Sequence, residues 1–83
     1  MNALECYNEV LIIDPKAYKA LYNKVLILKK LGKLEDAIEA YDMVLKINSK
    51  DVVSYYNKGI ALEELGRYQE AIKCYDNVLK IQL

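Results

Sequence analysis

Residues 55–75 read Tyr55-Tyr56-Asn57-Lys58-Gly59-Ile60-Ala61-Leu62-Glu63-Glu64-Leu65-Gly66-Arg67-Tyr68-Gln69-Glu70-Ala71-Ile72-Lys73-Cys74-Tyr75, two amphipathic helical halves hinged at Gly66. One fixed step upstream the same landmarks return. Gly66 falls on Gly32, Ala71 on Ala37 and then Ala3, and Tyr75 on Tyr41 and then Tyr7. A constant period in this range is the signature of supersecondary units stacked one on the next.

Outward from that stretch, the pattern predicts five helices. Ala3, Leu4, Tyr7, Val10, Leu11 and Ile13 recur at the three-four spacing of one helical face. Asp14-Pro15 ends that helix, because the residue before a proline is pushed out of the α region. Residues 18–31 form the second helix, with Leu21, Val25 and Leu28 on one stripe, and Gly32 supplies the left-handed residue that stops it. Residues 35–47 repeat the first pattern through Ala37, Ile38, Tyr41, Val44, Leu45 and Ile47. The next break, Asn48-Ser49-Lys50-Asp51, has neither proline nor glycine, and Ser49 or Asp51 is expected to cap the helix after it. Residues 52–65 and 69–81 complete the set, separated by Gly66. No strand pattern or flexible linker interrupts the run.

Each helix carries an apolar face too broad to bury against one neighbour. The glycines reverse the chain within a few residues, which makes consecutive helices antiparallel neighbours. Ala37 and Ala71 allow close approach early in the second helix of each pair, and Gly59 does so on the opposite helix. Val25 holds the place of Gly59 one unit earlier, so those two helices are expected to sit further apart. Tyr7, Tyr41 and Tyr75 are large fillers whose polar tips are expected to reach the edge of the stack. Asp42 with Lys46, and Asp76 with Lys80, are acid-before-base pairs four apart on an expected solvated face.

Twelve basic and twelve acidic residues leave no net charge, which argues against a nucleic-acid module. No apolar run approaches the roughly 18 residues of a membrane span, and the first residues do not read as a secretory signal. The cytoplasm is the expected compartment. The chain contains no histidine, which excludes a histidine-based triad and histidine metal ligation. Two separated cysteines do not make a zinc cluster, and no glycine-rich phosphate loop is present. Cys6 and Cys74 occupy equivalent points two periods apart, too distant across packed helices for a disulfide. We therefore expect no catalysis, no metal and no cofactor.

These residues together resemble the tetratricopeptide repeat. The matching positions are Leu21 and Tyr55, Gly59, Leu28 and Leu62, Gly32 and Gly66, Leu34 and Tyr68, Ala37 and Ala71, Tyr41 and Tyr75, Val44 and Val78, and Pro15. Departures are Val25 where a small residue is usual, valine at 44 and 78 where alanine is common, and Ser49 in place of proline. The resemblance implies an all-α fold, an alpha-alpha superhelix of helix-turn-helix hairpins. Residues 1–17 are then the second helix of a half repeat, 18–51 a full repeat and 52–83 a nearly full one.

The resemblance also implies a function, protein–protein interaction. First helices of such repeats line a concave side used for binding. The groove positions fall on Lys19, Tyr22, Asn23, Leu26, Lys29 and Lys30 in one unit. In the next they fall on Val53, Tyr56, Asn57, Ile60, Glu63 and Glu64. Tyr22 and Tyr56, with Leu26 and Ile60 one turn on, make an aromatic-aliphatic strip for a peptide, and Asn23 and Asn57 are placed to bond its backbone. Some family members grip a chaperone's C-terminal carboxylate with a lysine-asparagine clamp. Asn23, Asn57 and Lys19 fit clamp positions here. Tyr22 and Leu26 stand where the first clamp unit has its lysine and asparagine, so such a ligand is not expected.

A structural role is the alternative. Leu4, Leu11, Val78 and Leu79 are expected to help form uncovered apolar faces on the terminal helices, and such faces mark association sites. Lys29-Lys30 and Glu63-Glu64 make the surface self-complementary in charge. A homo-oligomer is expected, and the Asn48–Asp51 break offers a hinge for domain swapping.

Overall fold

A computed structural model describes residues 3–5, 8 and 18–82. Four helices follow one another: α1, Tyr18–Lys30; α2, Leu34–Ile47; α3, Val52–Glu64; and α4, Tyr68–Gln82. Residues 3–5 and 8, ahead of them, are helical as well. No strand occurs among the described residues. The expected helices at 18–31, 35–47, 52–65 and 69–81 agree to within a residue or so. Cys6, Tyr7, Val10, Leu11, Ile13 and the Asp14-Pro15 stop lie outside the described residues.

Both glycine stops work by the same hydrogen bonds. Gly32 and Gly66 have φ of 74° and 77°, the left-handed region that a side chain disfavours. Gly32 N donates to Lys29 O and Lys33 N reaches back to Leu28 O; Gly66 N donates to Glu63 O and Arg67 N to Leu62 O. This six-to-one and five-to-two pairing is the Schellman motif, and it satisfies carbonyls that the helix end leaves orphaned. The 48–51 break closes differently. Asn48 turns extended at the end of α2, Asp51 N donates to Asn48 O, and Lys50 N donates to Asn48 Oδ1. Asp51 is the cap of α3, its carboxylate accepting from Ser54 N.

Each helix packs on the one before it in the order α1, α2, α3, α4. The result is an elongated stack, 40 × 24 × 13 Å. Val25, Leu28, Ala37, Ala40 and Tyr41 form one buried cluster, with Leu4 packed on it. Ile38, Ala61, Leu62, Ala71 and Cys74 form the next. Ile38 belongs to the second cluster although it sits on α2, so the core runs through the repeat boundary. Ala37 and Ala71 are closed to solvent, as close approach requires.

The tyrosines depart from expectation in one respect. Tyr41 does not reach the edge of the stack; it is sealed in the core, and burial pushes its ionisation up to about 12. Tyr75, its equivalent, is half-buried and lies over Gly59, where an added Cβ would stand 2.5 Å from a ring carbon. In the earlier repeat Val25 and Tyr41 occupy the same two places, and both are fully buried.

A candidate peptide-binding face

The apolar stripe Leu21, Val25 and Leu28 turns one side of α1 into the core and leaves the other to solvent. Lys19, Asn23, Leu26, Lys29 and Lys30 are exposed there, and Tyr22 is half-buried. On α3, Val53, Tyr56, Glu63 and Glu64 are exposed, while Asn57 and Ile60 are half-buried. All twelve expected groove positions therefore keep some open surface. Leu26, Val53 and Tyr56, each more than half exposed, are large apolar groups among them.

Tyr22 is the exception in role. Its hydroxyl donates to Asp51 Oδ2 and lies 3.3 Å from Ser54 Oγ, while Ser54 Oγ donates to the same carboxylate at 3.1 Å. Ser54 is wholly buried and Asp51 nearly so. The Tyr22 phenol is thus engaged in the joint between consecutive first helices. Tyr56 packs its ring on Tyr75, 5.9 Å between centroids and tilted by 56°. The Glu63 carboxylate beside the Tyr75 hydroxyl pushes that hydroxyl's ionisation up to about 12, with burial adding to it.

The charges are not evenly spread. Lys29 and Lys30 occupy the last turn of α1, where cations complement the helix dipole. Glu63 and Glu64 end α3, where the dipole opposes them. Asp42 does not pair with Lys46; it reaches across to Lys58 on α3, at 2.5 Å. Lys46, Asp76 and Lys80 are exposed.

Of the four residues expected to mediate self-association, Leu4 is half-buried on the first core cluster and Leu11 lies outside the described residues. Val78 is half-buried and Leu79 is open. Val78 borders an apolar cavity of about 390 Å3 with Val52, Val53, Tyr56, Asn57 and Gln82.

Two polar clefts escaped the sequence reading. One, of about 260 Å3, runs between α2 and α4 with Lys58, Leu62, Arg67 and Cys74 on its walls. The other, of about 290 Å3, is lined by Lys24, Leu28, Lys33 and Ala40 at the same four places one period earlier. The recurrence of lysine at 24 and 58 was the available signal. Arg67 grips Glu70 with two hydrogen bonds, 2.5 and 2.9 Å, which holds the Glu70 carboxyl below its usual range. Cys74 is a free thiol, pushed up by burial. Among the described residues no group of histidine, cysteine, aspartate or glutamate is arranged to hold a metal ion.

Comparison with known proteins agrees with this architecture. The chain matches the tetratricopeptide repeat family over residues 52–82 and a second description of the same repeat over 26–66. Together these matches span more than half of the sequence, and the chain belongs to the tetratricopeptide repeat family. Its fold superposes on a crystal structure of MamA with a TM-score of 0.89 at 24% identity, covering 95% of this chain and 46% of that one. MamA from Desulfovibrio magneticus RS-1 gives 0.81 at 20% identity, covering 94% and 44%. The second repeat domain of Spaghetti (RPAP3), solved bound to the HSP90 peptide SRMEEVD, gives 0.82 at 22% identity, covering 94% and 72%. The chain spans less than half the length of these MamA structures. Among curated protein sequences none matches it.

Proposed function

We propose that the chain is a non-catalytic interaction module that binds a peptide segment of a partner protein across the exposed faces of α1 and α3. The observation that carries this reading is the pair of exposed stripes, each with an asparagine and an aliphatic residue one turn apart. Asn23 with Leu26, and Asn57 with Ile60, offer backbone hydrogen bonds beside an apolar seat. The peptide held by the Spaghetti repeat domain supports the ligand class. Tyr22 and Leu26 again speak against a chaperone tail gripped by its carboxylate, since neither is a cation or an amide. The ring of Tyr56 contributes to the seat; Tyr22 serves it by fixing the two stripes relative to each other.

Because Tyr22 is tied into the joint, its replacement mixes folding with binding. The clean test selects peptides from a displayed library on the chain, then measures them against Asn23→Ala and Asn57→Ala. Each is expected to weaken binding about tenfold with an unchanged circular dichroism spectrum, a hydrogen bond and its desolvated partner being lost. Undiminished affinity in both variants contradicts the reading.

A second reading, self-assembly through the terminal helices, is favoured by the open Leu79 and the apolar cavity beside Val78. Particles larger than 9.6 kDa in sedimentation at high micromolar concentration are its expected sign. A monomer throughout contradicts it. The cytoplasm is the compartment proposed with either reading, and cell fractionation checks it.

A further inference from the structure

The two first helices keep one pattern and reverse its charge. Leu26 and Ile60 stand one period apart, and one turn beyond them come Lys29-Lys30 and Glu63-Glu64, again one period apart. The face therefore has an aliphatic rung, then a charged rung that is cationic on α1 and anionic on α3. All four charged residues are exposed, and among the described residues none of them enters a salt bridge.

Local physics accounts for the cations and not for the anions. α1 carries four lysines and no acidic residue, and two of those lysines end it, where the helix dipole favours them. α3 ends on two glutamates that the dipole opposes, with no basic residue in its last turn to offset them. Lys58, the one basic residue of α3, is already paired with Asp42. Glu63 is also held in place. The Tyr75 hydroxyl of α4 is hydrogen-bonded to its carboxylate, and a neutral donor leaves the charge on the surface. A residue that breaks a local rule with no gain inside the fold is expected where the chain recognises something else.

We infer that the peptide taken by the α1–α3 face is bipolar along its length, with an acidic residue over Lys29-Lys30, a basic residue over Glu63-Glu64, and apolar groups beside them on Leu26 and Ile60. The inference rests on the peptide reading above and adds the order of charge to it. Extended chain advances about 3.3 Å per residue. Crossing one helix spacing of about 10 Å then sets the acid and the base roughly three residues apart. The opposite order of charge along the face puts acid on acid and base on base, so the charged rung fixes which way a bipolar segment lies. A uniformly acidic or uniformly basic segment meets one attracting and one repelling end. Asn23 and Asn57 hold any backbone; the charged rung sorts the sequences.

Peptides are selected from a displayed library on the intact chain, and one selected peptide is then titrated by anisotropy. The selected sequences are expected to pair an acidic with a basic residue roughly three positions apart. The double variant Lys29→Glu with Lys30→Glu should weaken binding about fivefold at low salt. The loss should disappear near 1 M salt, where screening confines charge to about 3 Å. A peptide whose acidic residue is replaced by lysine should recover the affinity. Glu63→Lys with Glu64→Lys should behave the same way, with recovery by a peptide whose basic residue is replaced by glutamate. The four positions are exposed, so circular dichroism should stay unchanged. Peptides that Asn23→Ala and Asn57→Ala weaken, but that both charge variants leave alone, overturn the inference and keep the peptide reading. A dimer in sedimentation that Lys29→Glu with Lys30→Glu dissolves, and that adding Glu63→Lys with Glu64→Lys restores, assigns the charges to a second copy and also overturns it.

Discussion

Tyr22 and Asp51 stand 29 residues apart and share a hydrogen bond that neither repeat makes alone: the phenol of one first helix donates to the carboxylate that caps the next. The bond joins local structure to long-range order, because one carboxylate both starts α3 and fixes α1 beside it. Tyr22→Phe removes the bond and keeps the ring. We expect it to cost about 1–2 kcal/mol, hydrogen bonds to charged groups being the stronger kind. Asp51→Ala loses the cap as well. Because the two changes remove a shared contact, urea titration of the double variant should show a loss smaller than the sum of the single ones. A strictly additive result contradicts the coupling.

Gly59 is held to glycine by Tyr75, not by its backbone. An added Cβ would stand 2.5 Å from the ring, while φ is ordinary for a helix. Gly59→Ala should gain about 1 kcal/mol of helix propensity and lose about 1–3 to overpacking. A net loss is expected, and Tyr75→Leu in the same chain should turn it into a gain. Thermal melts of the single and double variants decide this.

Gly66 presents the opposite case. Nothing lies within 4 Å of a Cβ there, but φ is +77°. Gly66→Ala should cost about 1–2 kcal/mol through left-handed strain alone. No second-site change in side-chain volume should recover that loss, and Gly66→Asn should cost less than Gly66→Ala because asparagine tolerates the region better.

Alkaline pH should act through Tyr41. Its folded ionisation lies near 12 against about 10 when unfolded. A raised folded value means stability is intact below pH 10 and falls as pH rises toward 12, because only the unfolded chain releases the proton easily. The part due to Tyr41 is about 2–3 kcal/mol at pH 12. The difference in stability between the parent and Tyr41→Phe, followed by urea titration from pH 8 to 12, should shift by that amount in favour of the variant. A constant difference contradicts the assignment.

The repeat period made most of this fold legible. Gly32 and Gly66 marked the turns because a left-handed residue is needed there, and Ala37 and Ala71 marked the tight helix contacts. Asp51 was one of two expected caps, and the choice between it and Ser49 rested on backbone geometry that spacing does not carry. Three details escaped. Asp42 had Lys46 one turn away on its own helix, yet it pairs across the boundary with Lys58, because α2 and α3 lie side by side. Tyr22 read as a groove residue by its position in the repeat. Its hydroxyl reaches the next repeat because Asp51, remote in sequence, is brought beside it. Tyr41 was expected at the edge and is sealed inside, in the cluster with Val25, Leu28, Ala37 and Ala40; its equivalent Tyr75 stays partly open.

The proposed peptide seat runs across the exposed faces of α1 and α3. Amide chemical-shift mapping of the chain with a library-selected peptide is its sharpest test. The largest shifts are expected on Asn23, Leu26, Asn57 and Ile60, with little change at Arg67, Lys73 and Cys74 in the cleft between α2 and α4. The largest shifts in that cleft, with Asn23 and Leu26 unmoved, would contradict it.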